Sequence, residues 1–229
     1  MATLVYNNDT VVESVEQMKL HVQLLIANTQ DIYKDTRITY ETLVHGCRKD
    51  TCPTATAGPS IEYILNSDLI LSYNIAVSKK QREMQKHKKQ ALPNIFVHNT
   101  FNISTGNGIN NNDNKESCSE ESESYLEVLP SSKTFCPAPV YIDAIFAFVK
   151  QTIHGWELFS DFIHTNEENL KSFKENLKKT YKRLFRVYAH IYLGHFQEVC
   201  ALDAEAHLNS LFKRFVFFAL SYDLLDSKE

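Results

Sequence analysis

The chain has 229 residues, 43% of them hydrophobic and 11% aromatic, with a net charge of −4. That length fits one large domain, or a domain plus a non-folding part, and the apolar fraction supplies a sizeable core. So mild a charge argues against general nucleic-acid binding, and no apolar run approaches the roughly 20 residues of a bilayer span, so neither nucleic acid nor membrane is expected as a partner.

The opening residues, "MATLVYNNDT", lack the basic start and apolar stretch of a signal peptide. A cytosolic or nuclear protein is expected, in which the five cysteines stay reduced and close Cys pairs suggest metal more than disulfide. Val11, Val15, Met18, Val22 and Leu25 recur at helical spacing and predict a first helix, with a break at Asn28. "TQDIYKDTRITYETLVHG" reads as a second helix ending near Gly46. "SIEYILN" alternates Ile61, Tyr63 and Leu65, as a strand with one buried face does.

The composition then changes. Residues 79–89 carry a net charge of +5 and residues 113–127 a net charge of −5, with the Asn/Ser-rich "NISTGNGINNNDN" between them. Such a tract buries too little apolar surface to offset its ordering entropy. Residues 67–132 therefore read as a low-complexity, disordered insert within a single domain over 1–229, at the tip of a hairpin whose return strand is "SYLEVLP". A tolerated surface expansion explains such an insert without any function.

Beyond Lys133 the pattern is helical. "PAPVYIDAIFAFVKQTI" starts with Pro and aligns Ile142, Ile145, Phe146 and Val149. A long helix follows, with Thr165 as N-cap and Glu168 completing a capping box; it buries Leu177, Tyr181, Leu184, Phe185 and Tyr188 and stops at Gly194. A last helix buries Leu208, Leu211, Phe212, Phe215, Ala219 and Tyr222. The fold class is mainly α: a helical bundle with a small β-hairpin.

Two pairs of metal-type residues stand out. Cys47 and Cys52 form C-x4-C between Gly46 and Pro53, and His190 and His195 form H-x4-H. On an unbroken helix five residues turn about 140°, so the two histidines would face apart. A break at Gly194 lets His195 swing toward His190. Both spacings suit a Cys2His2 zinc site, in which two thiolates cancel the charge of Zn²⁺ and four protein ligands leave no open position. That is the pattern of a structural site. Spacing alone leaves a second reading open: incidental surface thiols, and core histidines bonded to backbone. Of the other cysteines, Cys118 falls in the insert, and Cys136 and Cys200 read as ordinary half-buried thiols.

Lys179, Lys182, Arg183 and Arg186 follow i, i+3, i+4, i+7 spacing on one face of the long helix. Arginine forks bind phosphate in bidentate fashion, and several cations on one face suit a phosphorylated Ser or Thr. A solvated charged face has the same pattern.

The stretches "NTQDIY", "GCRKDTCPTATAGPSIEY", "CPAPVYIDAIFAFVKQ", "KRLFRVYAHIYLGHF" and "EAHLNSLFKRFVFF" together resemble the Mob family of kinase co-activators. The long-helix stretch is closest to the branch that acts with NDR/LATS-type kinases. The resemblance implies a Mob-type helical bundle cross-linked by one structural zinc ion, held by the residues that match Cys47, Cys52, His190 and His195. It implies no catalytic activity. The partners it implies are the N-terminal regulatory segment of an NDR/LATS-type AGC kinase and a phosphothreonine peptide, such as that of a phosphorylated Ste20-like kinase. The phosphopeptide ligands match Lys182, Arg183 and Arg186, and an aspartate of the kinase-binding face matches Asp31. Lys19 and Gln23 stand where that face is acidic in the family. Within the adaptor class, a scaffold subunit of a phosphatase–kinase assembly is the alternative. A zinc hydrolase fits poorly, because "HIYLGH" lacks the Glu of H-E-x-x-H.

Overall fold

The computed structural model describes residues 15–56, 62–90, 128–129, 134–163 and 166–225. Two compact units are distinguished: Met1–Tyr73 with Pro130–Glu229, and Asn74–Leu129. In order, the elements are α1 (Val15–Leu43), β1 (Ile64–Leu65), α2 (Ser67–Gln90), β2 (Thr134–Phe135), α3 (Ala138–Ile163), α4 (Glu167–Gly194), α5 (Phe196–Ala201) and α6 (Glu205–Ser221).

The first unit is built from α1, α3, α4 and α6. The expected break at Asn28 does not occur, and α1 is one helix of 29 residues. The Asn28 side chain donates to the Leu24 carbonyl (2.9 Å), a bond compatible with helical backbone. The buried stripe also runs straight through the position, from Val22, Leu25 and Ile26 to Thr29, Ile32, Thr36 and Tyr40. Burial of that continuous face outweighs the weak helix propensity of Asn and Thr. Val15 is exposed, and Val11 lies outside the described residues.

Two polar rungs join α1 to α4. Thr29 Oγ1 lies 3.4 Å from the Tyr181 hydroxyl and Thr36 Oγ1 lies 3.2 Å from the Tyr188 hydroxyl. Both partners advance by seven residues, so the two helices run in the same direction where they touch. The same two rings also meet Phe215 of α6, Tyr181 stacked on it and Tyr188 tilted against it, with ring centroids 5.5 and 5.1 Å apart. Leu177, Leu184, Val187 and Ile191 complete the buried face of α4. Between α3 and α4 the order reverses: Trp156 meets Phe173, whereas Arg186 meets Tyr141.

The N-cap of α4 is Asn166, whose side chain accepts the backbone N–H of Asn169 (2.7 Å). This moves the cap one residue from the expected Thr165, which lies outside the described residues. Glu167 and Glu168 sit in the first turn, where the helix dipole favours them. As expected, α4 ends at Gly194. Leu208, Phe215 and Ala219 of α6 are buried, while Leu211, Phe212 and Tyr222 are half-buried.

β1 pairs antiparallel with β2, with Ile64 opposite Phe135 and Leu65 opposite Thr134. Leu65 is buried and Ile64 exposed, the alternation expected of a one-faced strand. Of the expected return strand "SYLEVLP", only Val128 and Leu129 are among the described residues, and the rest of it lies outside them. The backbone N–H and C=O of Leu129 bond the Asn74 side chain, at 2.8 and 2.9 Å.

Residues 67–90, assigned by composition to the insert, form α2. Straight-chain Lys, Arg and Gln are good helix formers, and Leu69, Ile70 and Tyr73 bury its first turns. Ser67–Tyr73 belong to the first unit and Asn74–Gln90 to the second. The second unit holds, among the described residues, this latter part of α2 and the Asn74–Leu129 bonds. The rest of the low-complexity stretch, 91–127, lies outside the described residues.

Candidate metal centre and anion face

The parallel packing of α1 and α4 brings their C-terminal ends together. Thr36 and Tyr188 form the last rung; about two turns on, α1 stops at Leu43 and α4 at Gly194. The turn that follows α1 is tied by Cys52 N–H to Arg48 C=O (2.8 Å) and Arg48 N–H to Thr51 Oγ1 (2.9 Å), which aims both thiols back at α4. The Cys52 carbonyl accepts the Ala138 N–H (3.0 Å), pinning the turn to the start of α3.

At the other side, His195 leaves the helix at φ −133°, ψ 10° and folds back over His190. Their Nε2 atoms lie 3.2 Å apart. Cys47 Sγ is 3.2 Å from His190 Nε2, and Cys52 Sγ is 3.4 Å from His195 Nε2. All four donor atoms lie within 4.8 Å of one another. A tetrahedral zinc ion with bonds of about 2.0–2.3 Å spaces its ligands roughly 3.3–3.8 Å apart, so the donor set and its spacing fit such an ion. Among the described residues no other group of three or more His, Cys, Asp or Glu converges in this way. The reading of incidental thiols and unrelated core histidines does not predict this convergence.

The surroundings orient these donors. Glu198 Oε2 lies 3.2 Å from His195 Nδ1, and Glu198 Oε1 accepts the backbone N–H groups of His45 and Gly46, each at 2.8 Å. A Cβ at position 46 would stand 3.1 Å from that carboxylate, so glycine permits the close approach. The Thr56 backbone bonds the His190 ring, and the Tyr40 hydroxyl bonds Cys47. His195 thus has an outer partner for its second nitrogen, the usual arrangement around a metal-ligating histidine. Burial, with His195 beside it, pushes His190 down to about 4, which leaves it neutral and able to donate a lone pair. Burial pushes the Cys47 thiol up to about 12. Cys136 is fully buried rather than half-buried, and its thiol is likewise pushed up to about 12.

The basic residues of α4 are not a uniformly solvated face. Lys179 is exposed and Lys182 half-buried, while Arg183 is only 7% exposed. Arg183 Nη2 bonds Asp68 Oδ2 at 2.6 Å, its Cζ sits 3.9 Å above the Phe148 ring, and its buried Nη1 has no hydrogen-bond partner among the described residues. A buried donor left in that state costs about 1–3 kcal/mol. Arg186 Nη1 donates to the Tyr141 hydroxyl at 2.6 Å, and its Cζ lies 4.8 Å from the Tyr63 ring, which stacks on Tyr141. Sequence patterns did not indicate Asp68, Tyr141, Phe148 or Glu198. Only the H-x-x-E spacing of His195 and Glu198 carried a signal.

Asp31 is exposed on α1, with Lys34 and Arg214 each 3.9 Å from its carboxylate; Arg214 binds Asp35 more closely, at 2.7 Å. Lys19 pairs with Asp161 of α3 at 2.6 Å.

A family model described as the Mob1/phocein family matches residues 90–229. The chain belongs to the Mob1/phocein family. Among curated relatives, "MOB kinase activator-like 1A" of Arabidopsis thaliana is 28% identical over 205 residues, covering 90% of this chain and 67% of the relative. "Maintenance of ploidy protein mob1" of Schizosaccharomyces pombe is 26% identical over 202 residues, 88% of this chain and 67% of its own. "MOB kinase activator-like 1 homolog B" of Dictyostelium discoideum is 38% identical over 92 residues, 40% of this chain and 42% of its own. The Mob1/phocein match contains His190 and His195, whereas Cys47 and Cys52 lie upstream of it.

Proposed function

We propose that this Mob1/phocein protein is a non-enzymatic kinase activator or adaptor built around a structural zinc ion. The observation that carries the reading is its similarity, across 90% of the chain, to a relative named as a MOB kinase activator. Cys47, Cys52, His190 and His195 would hold the ion, which supplies a four-ligand cross-link between the turn after α1 and the end of α4. With all four positions taken by protein, that site favours rigidity over hydrolysis.

The kinase partner is the N-terminal regulatory segment of an NDR/LATS-type kinase, engaged by a face that includes Asp31. To activate, the protein must bind the active kinase arrangement more tightly than the inactive one. A second face takes a phosphothreonine peptide, such as that of a phosphorylated Ste20-like kinase, through Lys182, Arg183 and Arg186. The stacking of Arg183 on Phe148 and of Arg186 on Tyr63 supports this role, since both forks are held in place before any ligand arrives.

The test measures binding of an NDR/LATS-type kinase N-terminal segment to wild type and Asp31→Arg, and of phosphothreonine peptides to wild type and Arg183→Ala/Arg186→Ala. Each variant is expected to weaken its own ligand and leave the other unchanged. If neither ligand binds wild type, the adaptor reading fails.

A further inference from the structure

We infer that Asp68 is an internal competitor for the anion face of α4: its carboxylate occupies Arg183 when no phosphoryl group is bound and is displaced when one binds. The inference rests on the phosphothreonine-peptide reading of Lys182, Arg183 and Arg186. Three observations carry it.

First, the Nη2 arm of Arg183 is already engaged. Its side chain is 8% exposed and Nη2 lies 2.6 Å from Asp68 Oδ2. A second anion on that arm would stand beside the carboxylate and be repelled by it. Second, Asp68 satisfies Arg183 incompletely. Its other oxygen, Oδ1, accepts the Leu69 N–H at 3.0 Å, so Asp68 makes one bond where a planar fork can make two. Nη1 stays buried and without a partner among the described residues. A phosphoryl group in place of Asp68 offers the fork three acceptor oxygens where the carboxylate now offers one.

The third observation is an asymmetry of exposure. Arg183 is held against the Phe148 ring, whereas the Asp68 side chain is 46% exposed. Asp68 moves into water at little desolvation cost while the guanidinium stays where it is. Arg186 rests on the Tyr141 hydroxyl and pairs with no carboxylate among the described residues.

The consequence is a threshold. A dianionic phosphothreonine, with more charge and more acceptors than a carboxylate, displaces Asp68; a glutamate at the same place in a peptide competes with Asp68 on equal terms and gains little. Asp68 thus lowers the apparent affinity of every anion at this face by one factor, and weakly held acidic, unphosphorylated segments are left unbound.

The experiment uses degenerate peptide pools carrying phosphothreonine, glutamate or threonine at one fixed position, with binding read by fluorescence anisotropy at constant salt. The proteins are wild type, Asp68→Asn, Asp68→Ser and Arg183→Ala/Arg186→Ala. Asp68→Ser retains an oxygen for the Leu69 N–H and serves if Asp68→Asn does not fold by its thermal melt. Removing the carboxylate is expected to tighten phosphothreonine binding about three- to tenfold, the scale of one charge-assisted hydrogen bond no longer broken. Glutamate binding should tighten by the same factor, because both ligands displace the same carboxylate, so that the phosphothreonine-to-glutamate ratio stays constant. Unchanged or weaker binding by the Asp68 variants overturns the inference and makes Asp68 a positioning residue for Arg183, with the anion face intact. If wild type and the Asp68 variants all ignore phosphothreonine, or the double arginine variant binds it like wild type, the anion face itself is wrong and the competitor falls with it.

Discussion

At the scale of single residues, Glu198 has the most consequential position that carries no metal-type donor of the set. One carboxylate spans His195 Nδ1 and the N–H groups of His45 and Gly46, so it orients an imidazole and closes the Cys turn together. Replacing it by Gln keeps the size and removes the charge. Glu198→Gln is expected to lower zinc affinity about 10- to 100-fold, as read by competition with a chromogenic chelator; an unchanged affinity would show that the contact is incidental. Asp68 gives a second prediction at this scale. Partial burial pushes its carboxyl up, but the Arg183 hydrogen bond and charge, with the Leu69 N–H, outweigh that and hold it below its ordinary value. A depressed carboxyl stabilises the fold above the unfolded value of about 3.9 and loses that stabilisation as pH falls through the folded value. The stability gap between wild type and Asp68→Asn should therefore be constant from neutral pH down to about pH 5 and close below about pH 4. Solvent screening of the half-exposed carboxylate keeps it to about 1 kcal/mol or less. Urea titrations at pH 7, 5 and 3 measure it, and a gap that does not shrink at pH 3 contradicts the assignment.

At the scale of elements, α1 and α4 show how burial overrides local signals. Asn28 and the threonines of α1 are weak helix formers, yet Thr29 and Thr36 sit on the buried face and reach Tyr181 and Tyr188. The cap of α4 is local by comparison, because a side chain three residues away satisfies an N–H at Asn169. Asn166→Ala is expected to cost about 1 kcal/mol, seen as a fall of about 2–4 °C in Tm for a chain of this size. A Tm equal to wild type would place the cap elsewhere.

At the scale of the whole molecule, the Cys2His2 group links segments 143 residues apart in sequence. Metal bound there only by the folded state adds its binding energy to stability. Purified protein is expected to carry about one zinc ion per chain. Stripping it with a chelator should lower Tm by more than Asn166→Ala does, and Cys52→Ala or His190→Ala should reproduce the loss. Elemental analysis and thermal melts check this; metal-free protein with an undiminished Tm would remove zinc from the account.

What the amino-acid order determined by itself is local: which residues can bind a metal, the helical spacing of apolar side chains, the end of α4 at Gly194, and the motif strings that mark the Mob1/phocein family. These depend on residue types a few positions apart, which is the range over which periodicity and capping act. The tertiary structure decided the rest. The convergence of the four donors follows from α1 and α4 running in one direction, the Asp68–Arg183 pair joins residues 115 apart, and β1 takes Thr134–Phe135 as its partner. Contacts of such length are selected by the packing of whole faces, and no short stretch of sequence records which face its neighbour will meet.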